Sequence, residues 1–216
     1  MKMKSEIEIV TGFLGSGKTS FIDVLLGNTL VSGERVLIIQ SEAGEKSINI
    51  GKYNKNKVIV KEYNPSIEVT SAYLKQMINF YNPHRIIIEQ NGMRMLGETL
   101  SLFNEKDLEA LCLEPVVYHT ADAATFSMFL NNMKELIEPF IYHSNLVILN
   151  NCGFIDPEEK KNLVKKIRQF NYNAFIVPVK SIDELYKVLN KKEILSDGIM
   201  KSFKITLNGI MARKEK

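Results

Sequence analysis

The segment Gly12–Thr19 restricts what this chain can fold into more than any other part of the sequence. It reads Gly-Phe-Leu-Gly-Ser-Gly-Lys-Thr and fits the pattern G-x-x-x-x-G-K-[ST] of the phosphate-binding loop, or P-loop. A β-type run, Ile7–Val10, precedes it, and Ser20–Leu26 follows with a helical pattern that Gly27 is expected to end. Because strand, glycine loop and helix occur in the required order, a functionless glycine turn is the weaker interpretation.

The residue types in this loop predict what each position does. Glycine lets the main chain adopt positive φ, so that consecutive N–H groups point inward at an anion. The following helix adds roughly half a positive charge at its N-terminus. Lys18 is expected to contact the β- and γ-phosphates, and the Thr19 hydroxyl is expected to bind Mg²⁺. The predicted nucleotide-binding residues of the loop are Gly12, Gly15, Ser16, Gly17, Lys18, Thr19 and Ser20.

Length and composition predict one globular domain over residues 1–216, large enough to bury a core. The chain is 45% hydrophobic and its formal net charge is only +3, so neither nucleic acid nor a membrane surface is indicated as a partner. It contains two cysteines, and its first residues do not resemble a signal peptide. Since no apolar run approaches the roughly 18 residues of a membrane span, a cytoplasmic protein is expected.

Predicted strands alternate with predicted helices along the whole sequence. The strands cover residues 7–10, 35–40, 57–61, 85–89, 114–119, 145–150, 174–178 and 203–207. The later helices span 66–81, run without a break through 126–140, and begin at 156 and at 181, the last continuing to 189. Short apolar strands of this kind are buried on both faces. The predicted fold is α/β, a mostly parallel sheet wrapped by helices in the three-layer sandwich of P-loop NTPases, with ligand at the carboxyl ends of the strands.

A second motif lies at the end of the predicted strand Arg85–Glu89. Three isoleucines are followed by an acid, which is the Walker B pattern. Glu89 is therefore expected either to orient Mg²⁺ through its water shell or to polarise the attacking water. Gly92 follows three residues later and is expected to place its N–H near a γ-phosphate. Strands often end in glutamate, so this motif gains its weight from the P-loop upstream.

The P-loop and four later segments resemble the CobW-like GTPases, cobalamin-synthesis-type metallochaperones related to the hydrogenase and urease maturation GTPases. The resemblance covers about residues 5–190. The four segments are Ser41–Glu45 for the family's Asn-Glu-x-Gly-Glu, Ile88–Gly92 for Ile-Glu-x-Thr-Gly, Thr120–Ala123 for Val-Val-Asp-Ala and Leu149–Gly153 for Leu-Asn-Lys-x-Asp.

This resemblance implies a Mg²⁺-dependent GTPase that acts as a switch in metal delivery or cofactor maturation. The implied ligands are Mg²⁺ and a nucleoside triphosphate, GTP or ATP, with Asn150 in the nucleotide site. The implied partners are a client metalloprotein or cofactor enzyme and a second copy of the chain. The implied catalytic residues are Lys18, Glu89 and Glu42, and the implied metal-binding residues are Thr19, Glu89 and Glu42. A solvated loop is the alternative reading of Glu42.

Three departures from the family pattern limit these implications. In the guanine-reading motif, Gly153 stands where an aspartate accepts two hydrogen bonds from guanine, and Asn151 replaces the lysine. Hydrogen bonds to a charged group contribute roughly 1.5–3 kcal/mol each, so most discrimination between guanine and adenine should be lost. The family's Cys-x-Cys-Cys motif is missing from the matching stretch, residues 57–70, so a soft-metal site has little support. The family's carboxy-terminal domain is also expected to be absent.

Two functions remain open on sequence grounds, and a third is weaker. The first is a nucleoside-triphosphate hydrolase that acts as a switch. The second is a degenerate module that binds nucleotide, or only its phosphates, without turnover. A small-molecule kinase of the same loop class is disfavoured because the sequence shows no lid rich in arginine.

Overall fold

A single parallel sheet forms the centre of the molecule. The computed structural model describes residues 3–40, 48, 50–53, 57–63, 69–90, 92–185 and 187. Within these ranges the strands are β1 Glu6–Thr11, β2 Arg35–Gln40, β3 Lys57–Glu62, β4 Arg85–Glu89, β5 Val116–Asp122, β6 Leu146–Asn150 and β7 Phe175–Pro178. Their order is β3-β2-β4-β1-β5-β6-β7, and every neighbouring pair is parallel. The predicted sheet is thereby confirmed.

Helices cover both faces of this sheet. They are α1 Lys18–Thr29, α2 Ser71–Tyr81, α3 Leu96–Leu102, α4 Lys106–Glu109, α5 Ala123–Asn132, α6 Lys134–Tyr142 and α7 Pro157–Phe170. Because side chains alternate along a strand, Ile38 of β2 packs in the same cluster as Phe21 of α1, whereas its neighbour Ile39 packs with Leu74 of α2. A third cluster joins α5, α6 and α7 to the far half of the sheet. The result is the expected three-layer α/β fold.

The helix that follows the P-loop is longer than predicted. Gly27 does not end α1, which continues to Thr29 and is capped at Leu30. The Thr29 hydroxyl donates to the Leu25 carbonyl at 2.8 Å and accepts from Arg85 at 2.7 Å. This contact with β4 stabilises the last helical turn, so the end of α1 is set by tertiary structure rather than by the glycine.

Two further helical predictions are wrong in detail. Helix α2 begins at Ser71, because the Thr70 side chain accepts the main-chain N–H of Tyr73 and caps the helix there. The single helix expected through 126–140 is interrupted at Met133, whose φ of −135° and ψ of 37° separate α5 from α6. Asparagines 131 and 132, which are poor helix formers, stand immediately before this break. Helices α3 and α4 were not predicted, since each is too short to show a clear apolar period.

The start of α7 agrees with the sequence. Asp156 Oδ1 accepts the main-chain N–H of Glu159 at 2.8 Å, and Pro157 occupies the first helical turn. The helix predicted from 181 begins as a short 3₁₀ turn, Ile182–Glu184, without a side-chain cap at Ser181. Leu185 and Lys187 continue this turn in helical conformation. Residues 188–189 of the predicted helix and the predicted strand 203–207 lie outside the described residues. No helix in the described ranges is both long and apolar enough to traverse a bilayer.

A buried ionic cluster lies at the opposite end of the sheet from the P-loop, where β1 and β4 begin. Arg85 is completely buried, and its guanidinium pairs with Glu34 at 3.1 Å and with Glu8 at 3.6 Å. The Tyr118 hydroxyl donates to Glu8 at 3.2 Å. Burial raises the pKa of Glu8, and the nearby Arg85 opposes that shift. The cluster therefore ties β1, β4, β5 and the loop after α1 together.

Candidate functional site

The P-loop has the conformation that its glycines predict. Gly12, Gly15 and Gly17 adopt φ values of 143°, 78° and 100°. Gly12 is also constrained by space, because a Cβ there would lie 2.3 Å from the main-chain oxygen of Thr120. The loop is thus seated directly on the end of β5, and only glycine fits at its first position.

Hydroxyl groups of β5 and the P-loop form a floor beneath this turn. Ser16 and Thr120 are buried, and their side-chain oxygens are 2.8 Å apart. Thr120 also donates to the Thr11 carbonyl at 3.2 Å. The Thr11 hydroxyl lies 2.9 Å from His119 Nδ1. Thr120 lies in the segment that resembles Val-Val-Asp-Ala, but its sequence predicts no role for its hydroxyl, and none for His119; the pairing of β1 with β5 brings both to the P-loop.

The Lys18 side chain lies across the loop rather than out in solvent. It is only 4% exposed, and its Nζ donates to the carbonyls of Gly12 at 2.8 Å and Phe13 at 3.1 Å. An ammonium group in this position brings a full positive charge to the space enclosed by the loop. Contact of Lys18 with phosphate oxygens stays a prediction.

The two sequence motifs meet at the carboxyl ends of β1 and β4. Thr19 Oγ1 donates to Glu89 Oε1 at 2.8 Å, and the side-chain amide of Gln40, the last residue of β2, donates to Glu89 Oε2 at 2.6 Å. Glu89 is 2% exposed. The predicted juxtaposition of Thr19 and Glu89 is therefore present, while Gln40 is an unpredicted member that only the β2–β4 register reveals.

Gly92 also lies against the P-loop. A Cβ at this position would be 2.4 Å from the Gly12 carbonyl oxygen and 3.0 Å from Phe13 Cα. The turn after Glu89 can therefore approach the loop this closely only because residue 92 is glycine. This contact places the turn at the mouth of the loop, where a γ-phosphate contact was expected.

At the other end of the site, the residues of the guanine-reading motif have other partners. Asn150 Nδ2 is 3.4 Å from the Ser16 carbonyl oxygen, so Asn150 borders the P-loop. Asn151, at φ 60°, donates to Asp122, whose other oxygen accepts the main-chain N–H of Ala124 at the start of α5. Asp156 is occupied as the cap of α7 and cannot replace the side chain that Gly153 lacks. The described residues thus offer no carboxylate free to read guanine in this motif.

All the site residues predicted from sequence lie close together in the structure except Glu42, which is not among the described residues. Gly12, Gly15, Ser16, Gly17, Lys18, Thr19 and Ser20 form the loop and the start of α1, and Glu89 and Asn150 border it. Glu42, predicted as both catalytic and metal-binding, lies outside the described residues.

A soft-metal site finds no support in the described part of the chain, where no three histidine, cysteine or acidic residues are grouped to hold a metal ion. Burial raises the pKa of the Cys112 thiol to about 11 and also raises the pKa of Cys152. Thiols bind soft metals as thiolates, so both cysteines are poor ligands as they stand.

The buried histidine beneath the loop leads to a prediction about acid stability. Burial, with a smaller contribution from Lys18, lowers the pKa of His119 from 6.5 to about 3. An unfolded chain takes up this proton near pH 6.5 whereas the folded chain does not, so stability is present above pH 6.5 and is lost as pH falls toward 3. We expect His119 to lower the free energy of unfolding by about 2 kcal/mol between about pH 7.5 and pH 5.

Urea denaturation at these two pH values measures the effect. Between pH 7.5 and pH 5, the free energy of unfolding should fall by about 2 kcal/mol more in the wild type than in a His119→Gln variant, because glutamine has no proton to take up. Equal drops in the two proteins would show that His119 binds a proton as readily when folded as when unfolded.

The fold and this loop define a nucleotide-binding domain of the P-loop class. A family model for the CobW/HypB/UreG nucleotide-binding domain matches residues 6–178. The chain therefore belongs to the CobW/HypB/UreG family, as its motifs predicted.

Two solved structures illustrate the similarity of fold. The Zn(II)-bound YjiA GTPase from E. coli is 20% identical with a TM-score of 0.61, over 82% of this chain and 57% of that one. The hydrogenase maturation factor HypB from Archaeoglobus fulgidus is 14% identical with a TM-score of 0.56, over 88% and 91%. The chain thus spans little more than half the length of YjiA. No curated protein matches the sequence.

Proposed function

We propose that the chain binds a nucleoside triphosphate with Mg²⁺ and hydrolyses it, and that this cycle operates a switch in metal delivery or cofactor maturation. The observation that carries the proposal is the 2.8 Å hydrogen bond from Thr19 to Glu89, which joins the P-loop to the Walker B strand. A hydroxyl that donates its proton keeps two lone pairs, so the Thr19 oxygen is available to a cation beside the Glu89 carboxylate. These hard oxygen donors suit Mg²⁺.

Each part of the site has a role in this proposal. The loop N–H groups and the Lys18 ammonium bind the phosphates. Thr19 and Glu89 hold Mg²⁺, Glu89 directly or through a water, and Glu42 remains a candidate for the same task. When bound, Mg²⁺ neutralises the charge that develops on the transferred phosphate group. The turn carrying Gly92, which packs against Gly12, responds to the presence of a γ-phosphate and so reports the state of the nucleotide.

Membership of the family supports the biological part of the proposal. The client is a metalloprotein or a cofactor enzyme, and a nucleotide-dependent homodimer is the assembly that the family resemblance suggests.

A second candidate is a module that binds nucleotide without turnover. It is favoured by the altered base-reading segment, in which Asn151 is bonded to Asp122 and Gly153 has no side chain. The contact between Thr19 and Glu89 serves Mg²⁺-dependent binding in either function, so phosphate release is the measurement that separates them.

One experiment separates these functions. The purified protein is titrated with fluorescent ATP or GTP in the presence of Mg²⁺, and phosphate release is followed separately. Binding with release supports the hydrolase, binding without release supports the inert module, and no binding contradicts both.

A Lys18→Ala variant tests whether the P-loop is the site of binding. It should weaken triphosphate binding by at least about tenfold, because it removes charge-assisted hydrogen bonds worth roughly 1.5–3 kcal/mol. Unchanged affinity in the variant would place the nucleotide elsewhere.

Base selectivity gives a further prediction, in which Gly153→Asp converts the protein to a GTP-preferring one. A Cβ at Gly153 would approach only the Lys180 side chain, at 3.8 Å, so an aspartate fits. Two hydrogen bonds from guanine to a carboxylate contribute at least about 3 kcal/mol together, so the GTP-to-ATP affinity ratio should rise about 100-fold. The matched control is Gly153→Asn, which cannot accept both bonds and should leave the ratio near the wild-type value. A strong GTP preference in the wild type would refute this account of residue 153.

A further inference from the structure

Gln40 lies at this site although it belongs to neither the P-loop nor the Walker B motif. It ends β2, and it is paired in register with Glu89 of β4 and with Glu62 of β3. Its side chain is buried, and its amide nitrogen lies 2.6 Å from Glu89 Oε2. The other oxygen of the same carboxylate accepts from Thr19. Gln40 and Thr19 therefore hold the two oxygens of Glu89 from different sides.

The main chain on either side keeps this arrangement rigid. The carbonyl of Gln40 accepts the N–H of Tyr63 at 2.7 Å, which extends the pairing with β3. Beyond Glu89, the N–H of Gln90 donates at 2.9 Å to the carbonyl of Val10, two residues before the first residue of the P-loop. Both residues thus sit on paired strand ends in the interior of the sheet, where neither can move without breaking main-chain bonds.

We propose that Gln40 is a positioning residue that acts through Glu89 on metal-dependent nucleotide binding; this inference depends on the proposed function. A glutamine amide N–H only donates, so Gln40 fixes Glu89 Oε2 and leaves Oε1 turned toward Thr19. Without this bond the buried carboxylate is free to rotate away from Thr19. Gln40 therefore sets the orientation of Glu89, the proposed Mg²⁺ ligand, without contacting the nucleotide itself.

The test uses Gln40→Met, which keeps the length of the side chain and removes the donor. Affinity for a fluorescent nucleoside triphosphate is measured in EDTA and across a Mg²⁺ titration. We expect the EDTA affinity to stay within about twofold of wild type, while the Mg²⁺ concentration for half-maximal tightening rises about tenfold, the effect of losing one charge-assisted hydrogen bond. The matched control is Gln90→Met, which removes a buried amide one residue from Glu89 that donates to the Arg94 carbonyl instead.

A double-mutant cycle with Glu89→Gln distinguishes positioning from a general structural role. If Gln40 acts through Glu89, Gln40→Met should change the Mg²⁺ midpoint less than about twofold in the Glu89→Gln background. The same cycle on denaturant unfolding of the metal-free proteins should show the two substitutions coupled.

The possible results are separable. The inference is overturned if Gln40→Met has the same Mg²⁺ midpoint as the wild type, or if it loses as much triphosphate affinity in EDTA as in Mg²⁺. The proposed function stands in both cases. Equal effects of Gln40→Met in both backgrounds also overturn the inference. A wild-type protein that binds no triphosphate, or binds it without response to Mg²⁺, overturns the proposed function together with the inference.

Discussion

An alanine at Gly12 is expected to abolish triphosphate binding, with a loss of affinity greater than about 100-fold. The φ of 143° at this position costs a residue with a side chain on the order of 1–3 kcal/mol. The added methyl group would also lie 2.3 Å from the main-chain oxygen of Thr120, which cannot move without displacing β5. The loop must therefore shift, so that its N–H groups and the Lys18 ammonium no longer point toward the same phosphate-binding position.

Gly15→Ala is the matched control for this experiment. Gly15 also has a positive φ, 78°, but no atom lies within 4 Å of a Cβ built there. We expect it to lose less than about tenfold in affinity, since only the conformational cost applies. Fluorescent triphosphate titration measures both variants, and circular dichroism confirms that each is folded. Similar losses in the two proteins would contradict the role given to the contact with β5.

Replacing Arg85 by methionine should lower the free energy of unfolding by about 3–5 kcal/mol. Arg85 is fully buried between Glu8 and Glu34, so its loss leaves two buried carboxyl groups without their cation. Burial already raises the pKa of Glu8, and Arg85 is the main group that opposes this shift. In the variant Glu8 therefore favours its protonated form still more strongly.

The cost of this substitution should depend on pH. A carboxyl whose pKa is higher in the folded state stabilises the fold while it is protonated, and this stabilisation is lost as pH rises above its unfolded value of 4.5. The variant should therefore lose most at neutral pH and less near pH 4.5. Urea denaturation at both pH values measures the difference. The control is Lys75→Met, whose exposed pair with Asp107 should contribute less than about 1 kcal/mol. A similarly small effect of Arg85→Met would show that the buried cluster is not stabilising.

Much of the fold follows from local sequence patterns. The strands β2 and β4 have the predicted boundaries, because a short run of Val, Ile and Leu between polar residues forms a strand buried on both faces. The cap at Asp156 was also recognisable from local sequence. An aspartate followed by proline and glutamate satisfies the first N–H groups of a helix without any distant contact.

The errors occur where a distant contact competes with a local signal. Gly27 is a plausible helix end in isolation, but the bond between Thr29 and Arg85 carries α1 past it. Strand β5 begins and ends later than expected, at Val116 and Asp122. Its pairing with β1 stops at His119, and the pairing with β6 carries the ladder on to Asp122. Local sequence patterns do not predict which strands become neighbours in the sheet.

The same division applies to the site. Lys18 and Thr19 were identifiable from the fixed spacing of the P-loop, and Glu89 from its place at the end of the Walker B strand. The roles of Gln40, Thr120 and His119 were not identifiable, because each side chain contributes through a strand that is adjacent only in the folded sheet.

The amino-acid sequence by itself determined the phosphate loop, the acid that faces it, the parallel α/β architecture and membership of the CobW/HypB/UreG family. Tertiary structure alone decided which groups support that loop and acid: the oxygen of Thr120 beneath Gly12, the amide of Gln40 on Glu89, and the aspartate that occupies Asn151. The physical reason is that motif chemistry depends on residues a few positions apart, whereas these contacts depend on strand order and register, which only the packed sheet establishes.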